Sequence, residues 1–132
     1  MSENSLSRIL VVDDDRLFLK ALGDTLRDEG YLAVTAFGGQ AGIDAFQNAL
    51  KENDPFVLVI TDLAMDLVDG RQVATAVKKA SPSTPVILLT GWGKWFEAKG
   101  NIPIPVDCIL AKPPKLGELR AALAQCLQPR AS

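Results

Sequence analysis

The sequence predicts an α/β protein built on a doubly wound parallel sheet of five strands in the order 2-1-3-4-5, with helices on both faces. Short apolar runs rich in β-branched residues alternate along the chain with segments of helical periodicity, which is the pattern of βαβ units. Runs this apolar are typical of strands buried on both faces of a parallel sheet. Four of them end abruptly in polar residues, in the segments "ILVVDDD", "VLVITD", "VILLT" and "CILAK".

The predicted elements follow one another without a linker to a second domain. The strands are predicted over Arg8–Val12, Leu32–Phe37, Phe56–Thr61, Val86–Thr90 and Val106–Ala111. The helices are predicted from Asp15 to about Glu29, across Ile43, Phe46 and Leu50 to a point before Pro55, over about Arg71–Ala80, and over Leu116–Leu127. Asp15 is expected to cap the first helix. Between strands four and five, the prolines of "IPIP" predict that a helix through Lys99 is short or irregular.

The length of 132 residues corresponds to one domain, which we place at residues 8–128. Residues 1–7 are predicted to be frayed and residues 129–132 to form a tail. The net charge of −2, without a basic stripe, does not indicate direct nucleic-acid binding. The longest apolar runs have strand length, so neither a signal peptide nor a membrane span is predicted. A cytoplasmic protein is therefore expected.

The chain contains no histidine and two cysteines, Cys108 and Cys126. The lack of histidine excludes Ser-His and Cys-His catalysis and zinc sites that use histidine. The cysteines fall in an apolar strand and an apolar helix, and they form no CxxC motif. Buried reduced thiols are therefore expected, rather than a disulfide or a metal pair.

The polar residues at the strand ends are the candidate functional residues. In open α/β sheets, sites lie at the carboxyl ends of the strands, and strands one and three are neighbours in this order. Asp13 and Asp14 are therefore expected beside Asp62. Three carboxylates this close repel one another, and a bound divalent cation relieves the repulsion. Oxygen ligands without His or Cys indicate Mg²⁺.

Thr90 and Lys112 arrive from strands four and five, on the other side of Asp62. A hydroxyl, an ammonium and Mg²⁺ around one carboxylate suit phosphoryl transfer, with Asp62 as the nucleophile that forms an acyl phosphate. Each residue alone has a simpler explanation: Asp15 as a cap, Asp66 and Asp69 as turn residues, Thr90 as a strand-end hydroxyl, Lys112 as a surface lysine. Their arrival at successive strand ends indicates a site.

The motifs "ILVVDDD", "VLVITDLAMDLVDG", "VILLTGWG" and "ILAKPP" together resemble the receiver domain of bacterial two-component response regulators, which has a flavodoxin-like fold. The resemblance covers essentially the whole chain, and the segment after Thr90 is similar to receivers of hybrid histidine kinases. It implies that Asp62 accepts a phosphoryl group from the phosphohistidine of a histidine kinase or phosphotransfer protein, and that the domain then switches conformation. It further implies a Mg²⁺ site formed by Asp13, Asp14, Asp62 and the backbone carbonyl of Ala64.

The same resemblance implies that the Thr90 hydroxyl moves towards the phosphoryl group, that Lys112 pairs with it, and that the Lys112–Pro113 bond is cis. Ile109 departs from the family, which often has an aromatic switch residue at this position. Asp66 replaces a common proline and adds negative charge near the site. The "IPIP" segment shortens a helix of the usual output surface. Three aromatic residues of that segment are interpreted as core contacts or as an exposed patch for a partner: Trp92, Trp95 and Phe96.

Two alternative functions stay open at this point. Asp13 and Asp15 have the spacing of the nucleophile motif of haloacid-dehalogenase-like phosphatases, but only Glu118 supplies an acid after Lys112. A receiver fold that signals without phosphate is the second alternative, because of Ile109. The sequence does not identify the kinase, the stimulus, the output partner, the oligomeric state or an enzymatic activity beyond self-catalysed phosphotransfer and dephosphorylation.

Overall fold

The computed structural model describes residues 7–91 and 105–127, and within them five strands form one sheet. The strands are β1 (Arg8–Asp13), β2 (Leu32–Phe37), β3 (Leu58–Asp62), β4 (Val86–Thr90) and β5 (Cys108–Ala111). The helices are α1 (Arg16–Asp28), α2 (Gly39–Lys51), α3 (Gly70–Ala80) and α4 (Leu116–Leu127). All strand pairs are parallel, in the order β2-β1-β3-β4-β5. The predicted flavodoxin-like, doubly wound sheet is confirmed.

Successive side chains of the central strands enter two separate cores, one on each face of the sheet. Leu10 and Val12 of β1 pack in the core formed with α2 and α3, whereas Ile9 and Val11 pack in the core formed with α1 and α4. This division follows from the two-residue period of a strand. Every residue of β3 and β4 is buried, which explains why their sequences are continuously apolar until the last residues.

Several predicted boundaries are wrong by one or two residues. β1 and β3 continue through Asp13 and Asp62, because ladder pairing extends to these polar residues. β3 begins at Leu58 instead of Phe56, since its pairing with β1 starts there, and β5 begins at Cys108, the first residue paired with β4. Asp69 is the N-cap of α3 rather than a turn residue, and with Gln72 it forms a capping box.

Two further predictions concern the first helix and the thiols. The Asp15 carboxylate accepts hydrogen bonds from the amides of Leu17 and Phe18, which confirms its role as the N-cap of α1. Cys108 and Cys126 are free thiols, but they are half-buried rather than buried. The reason is their position, since β5 is the last strand of the sheet and Cys126 lies in the last turn of α4.

The predictions for the short helix before strand five, for Trp92, Trp95 and Phe96, for most of the "IPIP" segment and for both chain ends lie outside the described residues. None of the helices in the described ranges is long and apolar enough to span a membrane.

Candidate functional site

Two carboxylates lie side by side where β1 and β3 end. Asp13 is fully buried and Asp62 is 6% exposed, whereas Asp14 is exposed. One carboxylate oxygen from each of the three residues lies within 4.8 Å of the others. The predicted cluster therefore forms, because β1 and β3 are adjacent and parallel and their carboxyl ends meet.

Lys112, the residue after β5, reaches across to this cluster. Its Nζ lies 2.9 Å from Asp13 Oδ2 and 3.4 Å from Asp62 Oδ2, and 4.8 Å from the centre of the Phe18 ring. The Lys112–Pro113 peptide bond is cis, as predicted. Thr90 is buried at the end of β4, the strand next to β3. All four strand ends that the sequence singled out thus meet at one side of the sheet.

The surroundings of Asp62 and Lys112 change the pKa values of both groups. Burial raises the pKa of Asp62 to about 6, and the negative charge of Asp13 adds to the increase while Lys112 opposes it. Burial lowers the pKa of Lys112, but contact with Asp13 and the charges of Asp13 and Asp62 outweigh this effect and raise the pKa above its usual value. Lys112 is therefore a cation at neutral pH. The ionised Asp62 carboxylate, by contrast, is disfavoured in the folded protein.

The loop after Asp62 is held close to the site by a glycine that sequence analysis did not single out. A Cβ atom on Gly70 would lie 2.3 Å from the backbone oxygen of Asp62 and 2.8 Å from the Cα of Leu63. The Gly70 amide donates to the Leu63 carbonyl at 2.9 Å. The pair "DG" at residues 69–70 is the signal that the sequence offers for this glycine, and by itself it predicts only a turn.

The remaining predicted residues lie around the site with different exposure. Ala64 and Asp66 are exposed on the loop after β3, and Leu67 has a positive φ of 69° with its side chain exposed. Ile109 is half-buried against the core formed with α2 and α3. The residue that departs from the family is therefore a partly buried aliphatic side chain of β5.

The donor set suits a hard divalent cation. Asp13 Oδ1 accepts a hydrogen bond from the Asp15 amide at 3.0 Å, but Asp13 Oδ2 is buried and accepts no hydrogen bond from the described residues. Its close partner is the Lys112 ammonium, which forms an ion pair with it at 2.9 Å. A buried carboxylate oxygen that accepts no hydrogen bond within the described part of the chain, beside two further carboxylates, is a suitable ligand for Mg²⁺, which takes oxygen ligands in proteins.

Comparison with known proteins identifies the family. The sequence model of the response regulator receiver domain family matches residues 9–124. The chain therefore belongs to this family. Receiver domains bind Mg²⁺ at an acidic site of this kind and interact with histidine kinases or phosphotransfer proteins. With the family shown, neither a haloacid-dehalogenase-like phosphatase nor a phosphate-independent module is favoured.

The chain resembles three relatives over most of its length. The transcriptional regulatory protein GlrR of Escherichia coli is 36% identical over 122 residues, which are 92% of this chain but 26% of that protein. A receiver protein from Sinorhizobium medicae superposes with a TM-score of 0.78 at 29% identity and covers 96% of this chain and 98% of its own. TrrA from Thermotoga maritima, in complex with Mg²⁺ and BeF, superposes with a TM-score of 0.73 at 28% identity, over 92% of this chain and all of its own. The chain therefore spans about a quarter of GlrR and almost all of the two receiver structures.

Proposed function

We propose that Asp62 is the phosphoacceptor of this receiver domain. A carboxylate oxygen of Asp62 attacks the phosphorus of a phosphohistidine on a histidine kinase or phosphotransfer protein, the P–N bond breaks, and its electron pair returns to the imidazole. The product is an acyl phosphate on Asp62. The observation that carries the proposal is the position of Asp62 at the end of β3, beside two further acids and one ammonium.

Asp13, Asp14 and Asp62, with the backbone carbonyl of Ala64, would hold Mg²⁺, which supplies positive charge next to the transferring oxygens when it is bound. Lys112 neutralises further negative charge, which its contacts with Asp13 and Asp62 support. Thr90 is buried at the end of the strand next to β3, and its hydroxyl would hydrogen-bond the phosphoryl group and so report its presence. The conformational switch at Thr90 and Lys112 is part of this proposal.

The output is proposed to act through a partner or through further chain segments. GlrR is a transcriptional regulatory protein, and this chain corresponds to about a quarter of it. The relatives therefore leave open nucleic-acid binding by a longer protein, and the prediction that these residues do not bind nucleic acid themselves stays a prediction. The cytoplasmic location and the domain limits at residues 8–128 are likewise proposals, supported by the family match at residues 9–124.

The experiment that tests the phosphoacceptor is intact-mass measurement after incubation with acetyl phosphate and Mg²⁺. Wild type and Asp66→Asn are expected to gain one phosphoryl group, whereas Asp62→Asn is expected to gain none. Asp66 is the matched control because it is an exposed acid on the loop that follows Asp62. Labelled Asp62→Asn, or unlabelled wild type under conditions that label another receiver domain, would refute the proposal.

A further inference from the structure

The two edge strands of the sheet, β2 and β5, differ in how well they are protected against pairing with other chains. β5 has only four residues, and it is flanked by Asp107 on one side and by Lys112 and Pro113 on the other. β2 has six residues, "LAVTAF", with neither a charge nor a proline. Proteins normally shorten, charge or cover an outer strand, because its free main-chain groups pair readily with other chains. The open side of β2 therefore lacks the usual protection within its own sequence.

The main-chain pattern shows which groups of β2 are open. The Leu32 amide donates to the carbonyl of Ser7, and the Gly38 amide donates to the carbonyl of Asp13. Even-numbered residues of β2 therefore pair with β1, and the amides and carbonyls of Ala33, Thr35 and Phe37 point outwards. Across residues 7–91 and 105–127, β2 pairs with no strand but β1. Arg27 Nη2 donates to the Ala33 carbonyl at 2.9 Å and thereby closes one end of the open side.

A groove of about 430 Å³ runs between α1 and this open side of β2. Arg16, Lys20 and Arg27 line it from one stripe of α1, together with a single acid, Asp24, so its lining carries three positive charges and one negative charge. Asp24 pairs with Lys20 at 3.1 Å and with Arg27 at 3.2 Å. The lining thus has a net charge of +2 in a chain whose total is −2.

The end of the groove nearest the site is formed by Arg16 and Phe37, which stack on each other. The Arg16 guanidinium lies 4.0 Å from the centre of the Phe37 ring, and Phe37 is 46% exposed. Thr35 is also exposed in the groove lining. A sheet binds an added strand through the main-chain groups of an open edge, and the surrounding side chains select the side chains of that strand. Cations beside the edge of β2 would select acidic side chains.

We propose that β2 binds an extended acidic segment of a partner protein, which pairs with the outward main-chain groups of Thr35 and Phe37 and places its carboxylates against the cations of α1. Charge decides between this occupant and a second copy of the chain. Pairing β2 with β2 would bring together two linings of the same positive charge, which costs association energy. The lining of the groove contains none of the acids around Asp62 and does not contain Lys112.

The test is amide exchange followed by nuclear magnetic resonance, with a synthetic peptide of alternating glutamate and valine as the probe. The Thr35 and Phe37 amides are expected to exchange rapidly in the free protein and slowly with the peptide. A peptide in which lysine replaces glutamate is the matched control and is expected to give no protection. Protection by both peptides, or by neither, would overturn the proposal. The proposal would also be overturned if the free protein at high concentration had protected Thr35 and Phe37 amides and the mass of a dimer.

Two variants separate the main-chain and charge contributions. Thr35→Pro removes an outward amide and is expected to abolish protection at Phe37, whereas Thr35→Val keeps the amide and the binding. Lys20→Glu does not alter β2, and it is expected to weaken peptide affinity about fivefold or more, because it removes one exposed ion pair and adds a repulsive charge. Lys51→Glu, an exposed change at the end of α2, is expected to have no such effect. If Lys20→Glu and wild type bound the acidic peptide with equal affinity, the proposed role of charge would be contradicted. This test does not depend on whether Thr35→Pro folds.

Discussion

Lys112 Nζ lies closer to Asp13 Oδ2, at 2.9 Å, than to Asp62 Oδ2, at 3.4 Å. The ammonium therefore neutralises the most deeply buried acid of the site, and it does so at the oxygen that accepts no hydrogen bond from the described residues. A divalent cation held by these acids would compete with Lys112 for the same negative charge. Under the proposed function, the lysine would therefore affect both the phosphoryl group and the affinity of the acids for Mg²⁺.

The first prediction follows from this competition. Lys112→Ala is expected to tighten Mg²⁺ binding about tenfold, because it removes a positive charge next to the ligands. Isothermal titration calorimetry of the two proteins measures the difference, with Lys115→Ala as the control for an exposed lysine nearby. The same variant should accept phosphate with little conformational response. Equal or weaker Mg²⁺ affinity in Lys112→Ala would contradict the competition.

The second prediction concerns the stability cost of Asp62. Its folded-state pKa is raised from 3.8 to about 6, so the folded protein holds this proton more tightly than the unfolded chain does. Stability should therefore fall as the pH rises from about 4 to about 6 and stay lower above that range. In the presence of a chelator, Asp62→Asn is expected to raise the free energy of unfolding at pH 7 by up to about 3 kcal/mol.

Urea denaturation at pH 7 and pH 4 measures this effect. The gain from Asp62→Asn should shrink at pH 4, where the Asp62 carboxyl already carries its proton in the folded protein. Asp66→Asn, on the exposed part of the loop, is the control and should change little at either pH. An equal gain at both pH values would show that burial of the charge is not the cause.

The third prediction concerns Gly70, which packs against the backbone of Asp62. Gly70→Ala is expected to destabilise the protein by about 2 kcal/mol, because its Cβ would lie 2.3 Å from the backbone oxygen of Asp62 and neither backbone can easily move. Gly117→Ala is the matched control, since it lies in α4 and a Cβ there meets nothing within 4 Å. That control should be stabilising by about 0.5 kcal/mol or more, through helix propensity alone. Thermal unfolding of both variants distinguishes the outcomes, and a neutral Gly70→Ala would refute the close-approach argument.

The fourth prediction concerns Asp69, the N-cap of α3. Asp69→Ala is expected to cost about 1 kcal/mol, since the carboxylate accepts from the amides of Arg71 and Gln72 at the start of α3. Asp69→Ser keeps a side-chain acceptor and should restore most of the loss. Guanidinium denaturation of the three proteins provides the measurement. If alanine and serine had the same stability, the cap would not contribute as described.

The local pattern of the chain was sufficient to predict the parallel sheet, the strand order and the residues gathered at its carboxyl edge. Apolar runs of strand length alternate with helical periods, and each of these signals arises within a few residues of sequence. Asp13, Asp62, Thr90 and Lys112 could be identified because each comes directly after such a run or ends it. Chain direction in a parallel sheet then places all of them on the same side.

Only the tertiary structure decided which groups touch. The preference of Lys112 for Asp13, the contact of Gly70 with the Asp62 backbone, and the outward amides of β2 depend on residues far apart in the chain. Periodicity records which face of an element is buried, but it does not record which side chain reaches which partner or which backbone atoms meet in space. Those contacts form only when segments that are far apart in the sequence come together in the fold.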